Sequence, residues 1–502
     1  MKKPFSGYFP DLRKKIATIQ TKLKVATMKK LRIICAFALS MAIAMPLSAQ
    51  IGSLKDVKKN VPGSKKITEA QKDIPSAGKS SESKPETVAP SLSGSKQVFY
   101  VSMASGSNRN DGSKGAPFKN IDKAINMAQP GAEIRIAGGV YMGTLNVGFI
   151  ESDKPVRLFG SFDEGFSTQD IVAHPTLIQP DNESARSTRK VILKFTKDVA
   201  GTVIDHIVFD GGERNAYHAD EGVVEGIEGG RLLPPTEKPK DKFPTVGEPL
   251  LQFVSATTGG DVTIQNCVFT NAASFALQAG HRSGKFTVKN NVFAGNKMAA
   301  IEIYGTCAST GGPNTMALCG EVEIAYNTIL FSWSRTKDFL DMGYGVRIMT
   351  KCEYNIHNNI IGASILAGID HTRFNKNEWI KVDNNIFFVN KDKDFHYSPA
   401  SNTRLRIDAG DFGDLEIASV EGNRNEIPNG LKVNKAYLEG YLSARYSEQA
   451  DFDRNSPSNQ WRAAMGMNMQ GTISSSVTMF CNKYPWRDAL NLFGNVQGFG
   501  AQ

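Results

Sequence analysis

The chain has 502 residues, 40% of them hydrophobic and 22% charged, with a formal net charge of +9. That charge sits in the leading segment: residues 1–49 hold ten Lys/Arg against one Asp, which leaves the remainder neutral. A basic field for nucleic acid is therefore excluded, and the length suits either several domains or one long solenoid.

From Met28 the sequence reads Lys29-Lys30-Leu-Arg32, an apolar stretch from Cys35 to Leu47, and Ser48-Ala49 before Gln50. A basic start, an apolar centre and a small-residue exit make a secretory signal of bacterial style, with cleavage expected after Ala49 and Met28 as the expected start. The apolar run is short for a membrane span, so none is expected after cleavage, and the mature protein is expected to be secreted, periplasmic or on the cell surface. Residues 50–96 carry nine lysines against five acids among Ser, Pro and Gly, with no aromatic residue. Such a segment cannot bury enough surface to fold and reads as a disordered linker.

Five cysteines follow the cleavage site: Cys267, Cys307, Cys319, Cys352 and Cys481. Export permits disulfides, and Cys307 and Cys319 bracket a Gly-, Thr- and Pro-containing insertion that a bridge would close. Cys267 and Cys352 read as small packing residues. No CxxC or His-rich spacing supports zinc.

Folded sequence starts near Val98 with the strand Phe99-Tyr-Val101, then a run of turn residues from Ser105 to Gly112. Phe118, Ile121, Ala124, Ile125 and Ala128 follow at helical spacing, stopped by Pro130-Gly131. Asn108, Asn110 and Asp111 admit a calcium reading, but a single carboxylate favours plain turn chemistry. Thr202 to Gly212 reads as a coil with a turn at His206, and residues 211–249 as a polar insertion with five prolines.

Between Asp261 and Phe388 one phrase recurs: Val262-Thr-Ile-Gln-Asn266-Cys-Val-Phe269, Phe286-Thr-Val-Lys-Asn290-Asn-Val-Phe293, Val322 to Ile329, Cys352 to Ile361, and Ile380-Lys-Val-Asp-Asn384-Asn-Ile-Phe387. Each copy alternates apolar and polar residues over a short strand and closes on asparagine, which tolerates the left-handed backbone of a sharp turn. A second asparagine column follows at Asn291, Asn327, Asn359 and Asn385, and asparagines stacked coil on coil are expected to form a ladder. A repeat in the twenties with insertions is a solenoid signal.

The phrase resembles the right-handed parallel β-helix of the pectate-lyase-like superfamily, and the segment before it resembles the N-terminal capping segment of secreted β-helix proteins. The expected fold is all-β: a right-handed parallel β-helix over residues 97–395, an N-terminal helical cap, and a mixed, partly helical C-terminal cap over 396–502. Ile204-Asp205-His206 is similar to a W-I-D-H signature of one pectate lyase family in which the aspartate serves a calcium site. Its tryptophan is missing here, and the repeat assigns His206 to the turn column.

Aligning the strand that ends each coil puts Gln278, Glu302, Arg347 and Asp370 in one outward column, about 4.8 Å apart. His281, Arg282, Tyr304, Lys351, His371 and Arg373 are expected just beyond, at the entrance to the loops. The resemblance implies a polysaccharide groove along this edge. In β-helix lyases an acidic group or calcium neutralises a uronate carboxylate, a base removes the C5 proton and the leaving oxygen is protonated. Arg347, Lys351 and His371 are then base candidates and Glu302 and Asp370 acid partners or cation ligands, with Gln278, His281, Arg282, Tyr304 and Arg373 as substrate contacts.

Two other readings stand beside the lyase: a glycoside hydrolase, and a non-catalytic glycan-binding or envelope protein. Glu302 and Asp370, two coils or roughly 9.6 Å apart on the strand spacing, fit an inverting hydrolase only marginally. The alternating column also satisfies a solvated charge ladder with no ligand at all. Beyond Phe395, Lys435–Arg445, Asn459–Met467 and Tyr484–Leu490 look helical, and Leu438, Leu442, Trp461 and Leu490 are expected to cover the final coil. The polypeptide is expected to be a monomer.

Overall fold

The computed structural model describes residues 97–141, 150–179, 192–197, 199–212, 217–218, 222–223, 249–254, 259–304, 319–333, 342–349, 351–372, 377–400, 402–443, 453–471 and 483–502. The signal segment, the linker, Arg373 and Cys307 lie outside these residues.

Three nine-stranded sheets enclose one core. A coil contributes one strand to each sheet, as in Val262–Gln265, Val268–Thr270 and Leu277–Gly280. The next coil repeats this with Lys285–Lys289, Val292–Ala294 and Ala299–Tyr304. Successive copies pair in parallel and in phase, Val262 with Phe286, Val268 with Val292 and Leu277 with Ile301. The coil spacing shows directly in the core, where Phe209, Phe269 and Phe293 stack face to face at 4.9 and 4.7 Å between ring centroids.

The two asparagine columns divide the labour of the turn. In the first column His206, Asn266, Asn290, Tyr326, Asn358 and Asn384 all have φ between 53° and 58°, the left-handed region that short polar side chains adopt at least cost. His206 is therefore a turn residue, as the repeat implies. In the second column Asn291, Asn327, Asn359 and Asn385 are buried inside the corner. Each Nδ2 donates to the next coil's Oδ1, at 3.0 Å from Asn291 to Asn327, 3.0 Å from Asn327 to Asn359 and 2.9 Å from Asn359 to Asn385. Each backbone N–H donates to the same oxygen, and Asn423 extends the ladder by one step. Cys267 stands where this column has asparagine and is a fully buried thiol, as is Cys352.

The N-terminal end is closed by α1 (Ile121–Met127), which turns Ile121, Ala124 and Ile125 onto the first coil. Asn108 Oδ1 accepts from the N–H groups of Lys119 and Asn120, Asn110 donates to Pro117 O, and Asp111 accepts from Ser113 N. All three side chains are spent on closing this loop.

The C-terminal end differs from expectation. The coils run past residue 395, because Arg424–Asn425 still pairs with Ile386–Phe388. The last core layer is closed by an antiparallel hairpin, Lys393–Ala400 with Thr403–Ile407, and by a short 3-10 turn whose Phe412 packs on Phe387 and Phe395. The helices α2 (Lys435–Leu442), α3 (Pro457–Ala464) and α4 (Trp486–Leu490) do not cover that end. Leu438, Leu442, Trp461 and Leu490 instead join Val208, Val268, Val292, Leu330 and Ile360 in one apolar cluster along the outer side of the second sheet. The cause is in the strands: their triplets are apolar on both faces, so this sheet needs a second cover. The final residues complete it, with Gly500 N donating to Asn358 O, Ala501 N to Thr328 Oγ1 and Asn290 Nδ2 to Gln502 O.

Candidate functional site

The third sheet carries the outward column. Its pairing sets Glu151, Lys194, Gln252, Gln278, Glu302, Arg347, Asp370 and His396 side by side on consecutive strands. Gln278, Glu302, Arg347 and Asp370 are thus brought together as the periodicity implies. Gln252 has the same phase within Leu251-Gln252-Phe253 and was legible by the same rule, although it was not singled out.

The column is a continuous hydrogen-bonded chain. Gln252 Nε2 donates to Gln278 Oε1 at 2.8 Å, and Gln278 Nε2 to Glu302 Oε1 at 2.8 Å. Arg347 then bridges two coils, Nη1 to Glu302 Oε2 at 2.9 Å and Nε to Asp370 Oδ2 at 3.0 Å. From the terminal hairpin, Arg404 reaches back to Asp370 Oδ1, His396 Nδ1 and the Tyr344 hydroxyl. His396 Nε2 lies 2.9 Å from Asp392 Oδ2 but off axis for a hydrogen bond.

Burial decides what this chain is. The side chains of Glu302 and Asp370 are 5% and 1% exposed, Arg347 is 18% exposed and Arg404 42%. The column is not a solvated charge ladder; it is a sunken ion network with two carboxylates and two guanidinium groups. Burial pushes the Glu302 carboxyl up, against the pull of Arg347 and Gln278. Burial pulls Arg347 the other way, but Glu302 and Asp370 outweigh it and the guanidinium is held more firmly protonated than usual. Burial and the Arg404 charge lower His396.

The residues expected at the loop entrance separate. His371 pairs with Ile348 and faces into the coil, fully buried and stacked on Tyr397 at 5.1 Å. The strict alternation of Ile369-Asp370-His371 forces this: with Asp370 out, His371 is in. Burial alone lowers its pKa to about 4, and Ser398 N donates to its Nδ1. His281 is buried too, its Nε2 on Gly284 O at 3.0 Å and its ring edge-on to Phe286. Both histidines are core groups, so neither takes the expected place at the entrance. Tyr304, Arg282 and Lys351 are half-buried near strand ends, and the Lys351 carbonyl accepts from Cys319 N at 2.6 Å. Cys319 is disulfide-bonded.

Missed from the sequence were Tyr344, His396 and Arg404. Arg404 carries no periodic signal, because it enters through the antiparallel hairpin that breaks the repeat. Among the described residues there is no cluster of three or more His, Cys, Asp or Glu able to hold a metal ion. No described helix is long and apolar enough to cross a membrane.

The family model for a right-handed β-helix region matches residues 252–408. The chain carries a right-handed parallel β-helix. A second model, described as a protein of unknown function (DUF1565), matches residues 104–207 of the β-helix, the first coils and their cap. No curated protein matches this β-helix. Among solved structures it is similar to one described as XylC in complex with xylose, at 11% identity and a TM-score of 0.31, over 60% of this chain and 63% of that one. It is also similar to pectate lyase Pel9A, at 11% identity and a TM-score of 0.32, over 77% of this chain and 89% of that one.

Proposed function

We propose that this β-helix binds polysaccharide along the outer face of its third sheet, and that the buried ion network fixes the binding groups rather than performing acid–base chemistry. The observation carrying this reading is the unbroken chain from Gln252 through Arg404. Its more accessible members, Gln252, Gln278, Arg347 and Arg404, offer amide and guanidinium groups whose rotamers are already held by buried Glu302 and Asp370. Preorganised polar groups of this kind suit a hydroxyl-rich ligand, since little side-chain entropy is left to lose on binding. Arg347 is a poor base because two carboxylates hold its proton, and His371 has no path to solvent.

The lyase reading therefore narrows to Lys351, the one base candidate neither turned into the core nor held in the network. In that reaction Lys351 takes the C5 proton of a uronate, the electron pair forms the C4–C5 double bond and the C4 oxygen departs with a proton. The same screen tests both readings. Pectate, alginate, glycosaminoglycans, xylan and cellulose are assayed for retention of the protein and for ultraviolet absorbance of an unsaturated product, with and without calcium. Retention that falls in Gln278→Ala, without absorbance, supports binding alone. Absorbance lost in Lys351→Ala supports the lyase, and neither retention nor absorbance on any polymer sinks both.

We also propose that the protein works outside the cytoplasm, cleaved after Ala49 and tethered by residues 50–96; the disulfide at Cys319 supports this. Amino-terminal sequencing of the mature protein tests it, with a start other than Gln50 counting against the assignment.

A further inference from the structure

Three times in the chain an aspartate or asparagine precedes glycine: Asp111-Gly112, Asp210-Gly211 and Asn429-Gly430. In such a pair the side-chain carbonyl is open to attack by the next amide nitrogen, because glycine sets no Cβ in the way. We propose that Asn429 is a modification site, converting without an enzyme to aspartate and isoaspartate, at the joint between the last coil and the helices that cover the second sheet. The site is separate from the third-sheet face and stands without the reading given for that face.

The fold treats the three pairs differently. Gly112 N donates to Ala116 O at 3.0 Å, and Asp111 Oδ1 accepts from Ser113 N at 2.9 Å. Gly211 N donates to Thr270 O at 2.8 Å, while buried Asp210 accepts at Oδ1 from Thr270 Oγ1 at 3.0 Å and Asn271 Nδ2 at 2.7 Å. In both pairs the nitrogen and the carboxyl are already held by other partners. Asn429 and Gly430 instead form an exposed turn, and neither the Asn429 side chain nor the Gly430 N–H makes a hydrogen bond with a described residue. Asn455-Ser456, another small-residue pair, is guarded as well, since Ser456 N donates to Asp453 O at 3.0 Å where α3 starts.

In the reaction the Gly430 nitrogen gives up its proton and bonds to Asn429 Cγ. The side-chain amide takes a proton and departs as ammonia, leaving a five-membered succinimide. One water then opens the ring. At Cγ it breaks the Cγ–N bond and yields aspartate; at the Asn429 backbone carbonyl it breaks the peptide C–N bond and yields isoaspartate, with the main chain now passing through Cβ and Cγ. Ammonia leaves, water enters, and nothing is oxidised or reduced.

The extra main-chain carbon of isoaspartate falls where the chain is fixed on both sides. Arg424–Asn425 pairs with the last coil, Pro428 and Leu431 are buried, and Lys432 N donates to Asn495 Oδ1. Lengthening the turn between Pro428 and Leu431 displaces one of these anchors and loosens the cover that begins at α2.

The test is mass spectrometry of the full chain aged at mildly alkaline pH, digested with trypsin and read on the peptide from Asn425 to Lys432. Both acidic isomers are expected at position 429, told apart by isoaspartyl methyltransferase, which labels isoaspartate alone. Exposed turns open at almost no cost, so the folded chain is expected to react within about tenfold of the rate of the same peptide made synthetically. Asn425, whose Nδ2 donates to Asp394 Oδ2, is expected to remain an amide, and Asn429→Gln to abolish the methyl label. Aged protein is expected to melt below the fresh chain, whereas Asn429→Asp, with the charge but not the extra carbon, melts with the parent. The proposal is overturned if the folded chain reacts more than about tenfold slower than the peptide, if another asparagine converts sooner, or if the label survives Asn429→Gln. An aged chain that melts with the fresh one overturns the loosening of the joint.

Discussion

Truncating one rung of the buried asparagine ladder tests whether the turn column holds the solenoid together or merely marks it. Asn359 Oδ1 accepts from Asn327 N at 2.9 Å and from Asn327 Nδ2 at 3.0 Å, while its own Nδ2 donates to Ile324 O at 2.8 Å and Asn385 Oδ1 at 2.9 Å. In Asn359→Ala, Asn327 Nδ2 keeps Val288 O and Asn385 Oδ1 keeps the residue-359 amide. The Asn327 N–H keeps nothing, and Ile324 O loses a donor. An unsatisfied buried group costs about 1–3 kcal/mol, so the expected loss is about 3–5 kcal/mol. Asn358→Ala, one residue earlier, loses only a left-handed asparagine at φ 56° and surface hydrogen bonds, worth about 1 kcal/mol. Urea unfolding of both variants measures the difference, with the slope checked because solenoids need not unfold in one step. A loss under about 1 kcal/mol in Asn359→Ala, or an equal loss in Asn358→Ala, would refute the division between the two columns.

Arg347→Met is expected to cost about 3–5 kcal/mol, because it leaves Glu302 buried without a cation while Asp370 keeps only Arg404; adding Glu302→Gln should recover part of the loss, and a double variant no better than the single would count against charge compensation. Two buried groups give opposite pH signatures. The folded pKa of His371, about 4, lies below its unfolded value, so its stabilisation is complete above the unfolded value near 6.5 and is lost as pH falls toward 4. Asp394 is pushed up to about 6, first by burial, so its charge is disfavoured in the fold and stability rises as pH falls from about 7 toward 4. Relative to His371→Gln the parent protein should lose stability on acidification from pH 7.5 to 5, and relative to Asp394→Asn it should gain; parallel curves would contradict both. Gly500→Ala sets a Cβ 2.5 Å from Thr328 Oγ1 and 2.7 Å from Ile360 Cδ1 at φ +68°, so the tail should lift and carboxypeptidase should trim residues 501–502 faster than in the parent. Equal trimming rates would show that the tail seat is not selective for glycine.

The parts of the fold that repeat were legible, and those that do not repeat were not. Asparagine phase gave the strand ends, the turn role of His206 and the odd place of Cys267, because one residue type at one backbone conformation is a local requirement. The same phase gave the register of Gln278, Glu302, Arg347 and Asp370. The C-terminal segment was misplaced, since its apolar residues fit the end of the stack as well as its flank. What decides between them is that Val268, Phe269 and Thr270 are all buried, and a short, mostly apolar triplet also reads as an ordinary core strand.

An outward side chain is not always an exposed one. Alternation places Asp370 outside the coil, where a groove residue or a solvated charge is expected. Yet Asp370 is about as deeply buried as the residues lining the core, while His371, expected at the loop entrance, is in the core itself. Arg404 accounts for that burial. It supplies Asp370 with a second cation from a hairpin outside the period, and a carboxylate with two guanidinium partners can lose its water without losing its charge. An outward column whose charges are compensated this fully has little left with which to move a proton. That is why the network supports a binding face, and why the lyase question comes down to Lys351.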